Sequence, residues 1–342
     1  VLAEDAAVQI ARFDAEMGGE IAPFGAILLR SESAASSQIE NLTASARAIA
    51  EAEIGHTGRR NAVEIVANTT AMDAAVALAD ALDASAILTM HHALMATISP
   101  QIAGRWRTEQ VWVGGSALGP HGAEFVPPRP GHVELLIDDL VAFLRRDDLP
   151  VIVHAAVAHA QFETIHPFPD GNGRTGRALL HALLRGRGLT RNVTVPVSAG
   201  LLTDTSGYFS ALGAYRSGDP GPIVQRLSDA VTVSVANGRE LVHDLRRIRE
   251  SWQNLVRARR DSAVWTVADV LLRRPVVDAQ VLGLELGIAP RNVYRYTGVL
   301  EEAGILTEFT LRRRSRAWRC DDVLVALDAF AARAGRRIPG AG

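Results

Sequence analysis

The stretch richest in chemistry is His166-Pro167-Phe168-Pro169-Asp170-Gly171-Asn172-Gly173-Arg174-Thr175-Gly176-Arg177. Gly171 and Gly173 flank Asn172, so the backbone can approach a ligand closely and aim consecutive N–H groups at it. A helix opening near Gly173 adds the positive end of its dipole, and the two features together form a cradle for an anion such as phosphate. Arg174 and Arg177, three apart on the first turn of that helix, can reach one polyphosphate with charge-assisted bonds. Asp170 stands just before the cradle, where a carboxylate can hold Mg²⁺ against phosphate oxygens. His166 stands at the loop entrance, and an imidazole beside a metal-bound phosphate suits a general base acting on an incoming hydroxyl. A cation in the place of Arg177 opposes the helix dipole unless an anion sits there.

These residues need elements to hold them. From Asp73 to Thr97 the apolar residues Val76, Leu78, Leu82, Ile87, Leu88 and Leu94 recur at helical spacing and predict two packed helices. Between Gly104 and Pro130, alternation broken by Gly114-Gly115 and Gly119-Pro120 predicts a short hairpin. Helical periodicity returns over 131–145, 149–162, 173–187 and 203–217, and long helices carry the chain to about residue 260. After Arg257, Arg259 and Arg260 a compact segment follows, with helices over 278–286 and 290–302 around the turn Gly287-Ile288-Ala289. Gly304 ends the second helix, and two strands with a basic tip at Arg312–Arg316 complete a pattern like a winged helix. His154 and His159 are five apart, off the i,i+4 pattern of a helical metal pair, so zinc is not expected. His91-His92 reads as an ordinary helix pair.

The window 166–177 fits the signature H-x-F-x-[DE]-G-N-G-R-x-x-R at every defined position, and the chain resembles the Fic adenylyltransferases. The resemblance runs over roughly residues 85–230. It includes His159-Ala160-Gln161-Phe162-Glu163-Thr164-Ile165, the 108–128 hairpin ending in Pro127-Pro128, and Tyr208-Phe209. It implies a mainly α fold, with a Fic-type helical core, a short β-hairpin flap and a C-terminal winged helix-turn-helix domain. The expected division is an N-terminal helical region over 1–84, a catalytic domain over 85–245, and a linker helix with the winged helix over 246–342. The resemblance further implies that His166 deprotonates a Ser, Thr or Tyr hydroxyl of a target protein. That hydroxyl would attack the α-phosphate of ATP and expel pyrophosphate. Asp170 would hold Mg²⁺, Gly171, Asn172 and Gly173 the α- and β-phosphates, Arg174 the β-phosphate region and Arg177 the γ-phosphate. Phe168 would plug the loop into the core, and Tyr208 would lie near the adenine. Val111, Trp112 and Val113 would form the flap that pins an extended target segment by strand addition.

A second resemblance concerns control. Ser36-Ser37-Gln38-Ile39-Glu40-Asn41 matches the inhibitory pattern [ST]-x-x-x-E-[GN] of autoinhibited Fic proteins. Ser36 and Glu40 share one helical face, and Glu40 could pair with Arg177 where the γ-phosphate belongs. The implied partners are a hydroxyl-bearing target protein, the chain itself, DNA at the winged helix, and a second copy. Other readings stay open: removal of AMP, another nucleotidyl or phosphoryl transfer on the same fold, or a DNA-binding regulator that senses nucleotide.

Composition sets the outer bounds. At 342 residues, 48% hydrophobic and 22% charged, the chain is globular with two or three domains, which excludes disorder, collagen-like repeats and a disulfide scaffold. A net charge of −2, with all 36 cations Arg, excludes a globally basic nucleic-acid binder. Residues 261–342 nonetheless carry a small excess of Arg, with Arg291 and Arg295 on the second helix and Arg312, Arg313, Arg314 and Arg316 near the wing. The lone Cys320 cannot form an internal disulfide, and Glu4, Asp5, Arg12, Asp14, Glu16 and Glu20 interrupt any signal-peptide apolar region. No uncharged apolar run reaches about 18 residues. A cytoplasmic location without membrane contact is therefore expected.

Overall fold

The structure, a computed structural model, describes residues 1–18, 21–115, 119–310 and 316–335. The chain opens with α1 (Leu2–Met17), α2 (Ile21–Ile39), α3 (Ala46–Glu53), α4 (Arg60–Ala77) and α5 (Ala84–Met95). The spacing of Ala6, Ile10, Phe13 and Met17 puts one buried stripe on α1. Ser45 and Asp83 cap α3 and α5, each accepting an N–H from three residues on. The first of the two helices expected within 73–97 therefore starts earlier, at Arg60. Val63, Ile65 and Val66 lie in its first half, ahead of the stretch from which the period was read.

After a long loop come α6 (Val133–Leu144), α7 (Val151–Ile165), α8 (Asn172–Gly186), α9 (Val197–Leu201), α10 (Thr205–Arg216) and α11 (Gly221–Leu255). At 35 residues α11 is about 52 Å long, and one face of it packs against α1, α7, α9 and α10. The centre of the molecule is α8, buried along almost its whole length between α7, α4, α5 and α2 although it carries Arg174, Arg177 and His181. A helix wrapped on all sides with charged residues inside must have partners for them.

Among the described residues, the hairpin expected within 104–130 shows the antiparallel bridge of Val113 with Phe125. Val113 N–H donates to Phe125 O at 2.9 Å, and Glu124 N–H donates to Val113 O at 2.9 Å. Gly114 and Gly115, at φ 75° and 73°, then turn the backbone out of strand geometry.

The C-terminal part runs α12 (Ala263–Arg273), β1 (Val276–Asp278), α13 (Ala279–Leu286), a 3-10 turn at Pro290–Asn292, α14 (Tyr294–Glu302), β2 (Thr307–Thr310), β3 (Arg316–Arg319) and α15 (Asp321–Ala334). Its sheet is antiparallel in the order β1-β3-β2, with Val277 opposite Trp318 and Phe309 opposite Ala317. Trp318 is fully buried and donates its indole N–H to Glu301. The helix expected over 290–302 is split, because Pro290 starts a 3-10 turn before α14. The basic tip residues Arg312, Arg313 and Arg314 lie outside the described residues. Helix α15 returns across α11, α2 and α3, with Ala46 N–H donating to Asp328 and Asn237 Nδ2 to Phe330 O. Among the described residues no helix is long and apolar enough to cross a membrane.

Candidate active site

Helix α7 ends at His166, whose backbone sits in the left-handed region at φ 49°, ψ 60°. That conformation is uncommon outside glycine and must be held by its surroundings. Two residues on, Phe168 is fully buried, its ring stacked on His91 at 3.6 Å with Trp106 at 5.0 Å. Asn172 closes the loop from inside: its Oδ1 accepts from Phe168 N–H at 2.9 Å and its Nδ2 donates to Phe168 O at 2.8 Å. The Asn172 side chain is thus a staple rather than a ligand, and only its backbone N–H faces the cradle. His91 supports the loop from below. Its Nδ1 accepts from Gly104 N–H at 3.0 Å, which assigns the proton to Nε2, 3.1 Å from Asp170 O.

Gly171, at φ 77°, precedes α8, and a Cβ there would lie 2.9 Å from Leu94. The first intrahelical bond of α8 is Thr175 N–H to Gly171 O, which leaves the N–H groups of Asn172, Gly173 and Arg174 ahead of it. Arg174 is 3% exposed, with Nε and Nη1 buried and without a hydrogen bond. Its nearest carboxylates, Glu64 and Asp170, are each 3.7 Å away. A buried guanidinium so loosely paired is a vacancy for an anion. The Asp170 side chain is 64% exposed and its Oδ1 accepts from Gly171 N–H at 2.6 Å. One open carboxylate at the rim of the cradle suits Mg²⁺, which takes most of its ligands from phosphate and water. Among the described residues no cluster of three His, Cys, Asp or Glu would hold an ion alone.

Arg177 is engaged from the side of α2. Its Nε donates to Ser36 Oγ, and its Nη2 to Ser36 O and Glu40 Oε1, each at 2.8 Å. Burial raises the Glu40 pKa, but the Arg177 guanidinium outweighs it and holds the carboxyl below its ordinary value. The Glu40 carboxylate lies so close over Gly173 that a Cβ there would overlap it. An anion from the chain itself therefore sits at the N-terminus of α8. Glu40 gets there because α2 stops at that point. Asn41 takes the left-handed conformation at φ 61°, Leu42 N–H donates to Ser37 O and Asn41 N–H to Gln38 O, the paired bonds of a Schellman cap. One and two turns back, the same face of α2 carries Ser36 and Glu32. Glu32 is fully buried, 2.8 Å from His181 Nε2, and accepts from Ser198 N–H at 2.8 Å. Glu32, Ser36 and Glu40 thus meet His181, Arg177 and Gly173, two antiparallel stripes at four-residue spacing.

The His166 Nδ1 is buried without a hydrogen bond. Burial lowers the pKa of this ring to about 4, against opposing pulls from the Glu163 carbonyl and the Glu40 charge. Glu163, one turn earlier on α7, is itself buried, which raises its carboxyl to about 7 although Arg177 pulls the other way. Tyr208 is 1% exposed and its hydroxyl lies 2.7 Å from His159 Nε2. Tyr208, expected beside an adenine, has its ring buried in the core near Arg177. Its neighbour on α10, Phe209, is 49% exposed.

Residues 81–184 match the Fic/DOC family. The chain carries a Fic domain. The protein adenylyltransferase Fic of Drosophila erecta is 33% identical over 146 residues, covering 42% of this chain and 26% of the relative. The protein adenylyltransferase fic-1 of Caenorhabditis elegans is 31% identical over 159 residues, covering 46% and 28%. The chain thus spans about a quarter of the length of these curated relatives. Among solved structures, a Fic family protein from Desulfovibrio desulfuricans G20 aligns with a TM-score of 0.59 at 20% identity, over 93% of this chain and 95% of that one. A Fic domain containing signaling protein from Bacteroides thetaiotaomicron aligns with a TM-score of 0.55 at 17% identity, over 70% and 95%. At these identities the likeness is one of fold.

Beside the Fic loop, Val111, Trp112 and Val113 are half-buried on the segment that carries the Val113–Phe125 bridge. Arg216, at the end of α10, lies 3.7 Å from the Phe125 ring centroid with its Nε buried and unbonded. Sequence reading missed His91, Glu32, His181, Glu163, Arg216 and Arg107. His181, four after Arg177, and Glu32, four before Ser36, could have been read as continuing the functional stripes. Nothing local marks the others. His154 and His159 keep separate partners, Phe143 O and Tyr208.

Proposed function

We propose that this chain transfers AMP from ATP to a hydroxyl of a protein, and that α2 holds it inhibited. The observation that carries the reading is the Glu40 carboxylate over Gly173 on Arg177, because a site already filled by an anion of the chain is an anion site. In the transfer, the triphosphate takes the place of Glu40, with its γ-phosphate on Arg177 and its α- and β-phosphates on the N–H groups of residues 172–174. Arg174 turns its unpaired nitrogens to the β-phosphate. Asp170 would hold Mg²⁺, which would supply charge neutralisation at the phosphates. The target hydroxyl loses its proton to the His166 ring, its oxygen bonds to the α-phosphorus, and the bond to the β-phosphate oxygen breaks to release pyrophosphate. Burial keeps His166 neutral at pH 7 and so able to accept that proton. Such a base contributes roughly 10²–10⁴-fold.

The flap offers Val111–Val113 to an extended target segment. The order α12-β1-α13-α14-β2-β3 supports reading 246–342 as a linker helix with a winged helix beyond the catalytic unit 85–245 and the regulatory region 1–84. The exposed Arg291 and Arg295 are its cationic contribution to a partner surface. Equilibrium titration tests the lock: wild type should bind ATP and ADP equally, and Glu40→Gly should prefer ATP tenfold or more. Equal affinities in the variant would remove the γ-phosphate role of Arg177. A mass increase of one AMP on a Ser, Thr or Tyr tests the transfer itself.

A further inference from the structure

Arg107 lies in the loop between α5 and α6, outside any helix or strand, yet only 3% of it is exposed. Its Nε donates to His166 O at 2.8 Å and its Nη1 to Glu109 O at 3.2 Å. Its Nη2 donates to Pro128 O at 2.5 Å, with Ile165 O at 3.4 Å. Its own backbone N–H donates to Pro167 O at 2.9 Å. One planar fork therefore joins three places: the entering stem of the flap at residue 109, the leaving stem at 128, and the end of α7 at His166. Among the described residues no carboxylate pairs with it. The carbonyls of Ile165 and His166 are those of a helix C-terminus, where a cation is favoured by the dipole and fills otherwise empty acceptors.

Further out, Gln110 Nε2 donates to Val111 O and to Pro127 O, at 3.2 and 2.8 Å, and binds the same two stems. Among the described residues the backbone contributes the Val113–Phe125 bridge. The flap is therefore tied at its base by side chains beside that bridge.

We propose that Arg107 is a positioning residue that sets the distance between the flap edge and His166. A target segment laid on Val111–Val113 then presents its hydroxyl to the His166 ring. This inference rests on the AMP-transfer reading, in which the flap holds the target. Lysine at 107 keeps the charge but has one nitrogen, so it cannot reach both stems and the His166 carbonyl together.

The test uses the full chain in the Glu40→Gly background and compares the parent with Arg107→Lys and with Gln110→Ala. The latter is a partly exposed change that spares the core. Amide hydrogen exchange at Val113, Glu124 and Phe125 should speed up tenfold or more in Arg107→Lys, and by less in Gln110→Ala, with α8 unchanged. Label transfer from α-labelled ATP to the chain itself should fall tenfold or more, while the ATP dissociation constant stays within twofold of the parent. Guanidinium ion added to Arg107→Ala should restore part of the transfer. The proposal is overturned if flap exchange and transfer stay at the parent's level in Arg107→Lys. It is equally overturned if transfer falls only in proportion to lost ATP binding. If the parent transfers no label, the AMP-transfer reading has failed instead, and the exchange measurement alone decides whether Arg107 ties the flap to His166.

Discussion

Glu40 sits where its own helix disfavours it. A carboxylate at the C-terminal end of α2 opposes that helix's dipole, and Arg177 together with the N-terminus of α8 reverses the balance. His166, the proposed base, is the complementary case, a ring kept neutral by enclosure. Burial holds its pKa near 4, against an ordinary value of 6.5. A base depressed in this way is active above its pKa and is lost only as pH falls through it. The acid limb of kcat/KM for ATP in Glu40→Gly, read by self-labelling, should therefore lie well below pH 6.5. A limb at or above 6.5 would mean that the ring is solvated. The loop between α7 and α8 was legible as a unit because Gly171 and Gly173 around Asn172 mark a turn into a helix. Asn172 and Tyr208 were legible as members of the motif region but not in their tasks. A side chain turned inward to staple a loop, or to support an arginine, has the same spacing as one turned outward.

At the scale of elements, the proposed lock rests on two antiparallel helices joined by stripes at four-residue spacing, with α2 closed by Asn41. The left-handed backbone at Asn41 accepts Asn or Gly, whereas a β-branched residue there costs about 1–2 kcal/mol. Asn41→Gly should therefore keep transfer as low as wild type. Asn41→Val should fray the last turn of α2, lower stability by about 1 kcal/mol and raise transfer severalfold, as read by denaturant unfolding and by labelling. Unchanged transfer in the valine variant would detach the cap from the lock. The helices around the loop were predictable to within a few residues, because their apolar periods are strong and Asp83 and Asp204 cap their starts. In the flap, the fastening of the base by Arg107 and Gln110 was not legible, because their partners are carbonyls that carry no sequence signature.

Across the whole molecule, enclosure of titratable groups sets the response to pH. Burial lowers His91, His159 and His166 to about 4, so between pH 4 and 6.5 the unfolded chain binds a proton at each that the folded chain does not. Glu163, raised to about 7, runs the other way over about 4.5–7. His154, Glu32 and Glu40 are lowered as well and Glu53 and Asp73 raised, so groups binding fewer protons in the folded chain outnumber the others, and each net proton is worth about 1.4 kcal/mol per pH unit. The melting temperature should fall steadily from pH 6.5 to 4.5, as scanning calorimetry would show. A flat profile would mean that these rings are open to water. The order of the C-terminal elements was partly legible from Pro290, Gly287 and Gly304. The return of α15 onto α2 and α3 was not, since contacts made by distant segments leave no local period.

The central claim is that a phosphate cradle and His166 perform AMP transfer under the lock of Glu40. It is tested most directly by incubating wild type, Glu40→Gly, and Glu40→Gly with His166→Ala in Mg²⁺ and α-labelled ATP. Label on protein should be faint in wild type, strong in Glu40→Gly and absent from the double variant. Label equal in all three, or absent from Glu40→Gly even with cell lysate as a source of targets, would contradict the account.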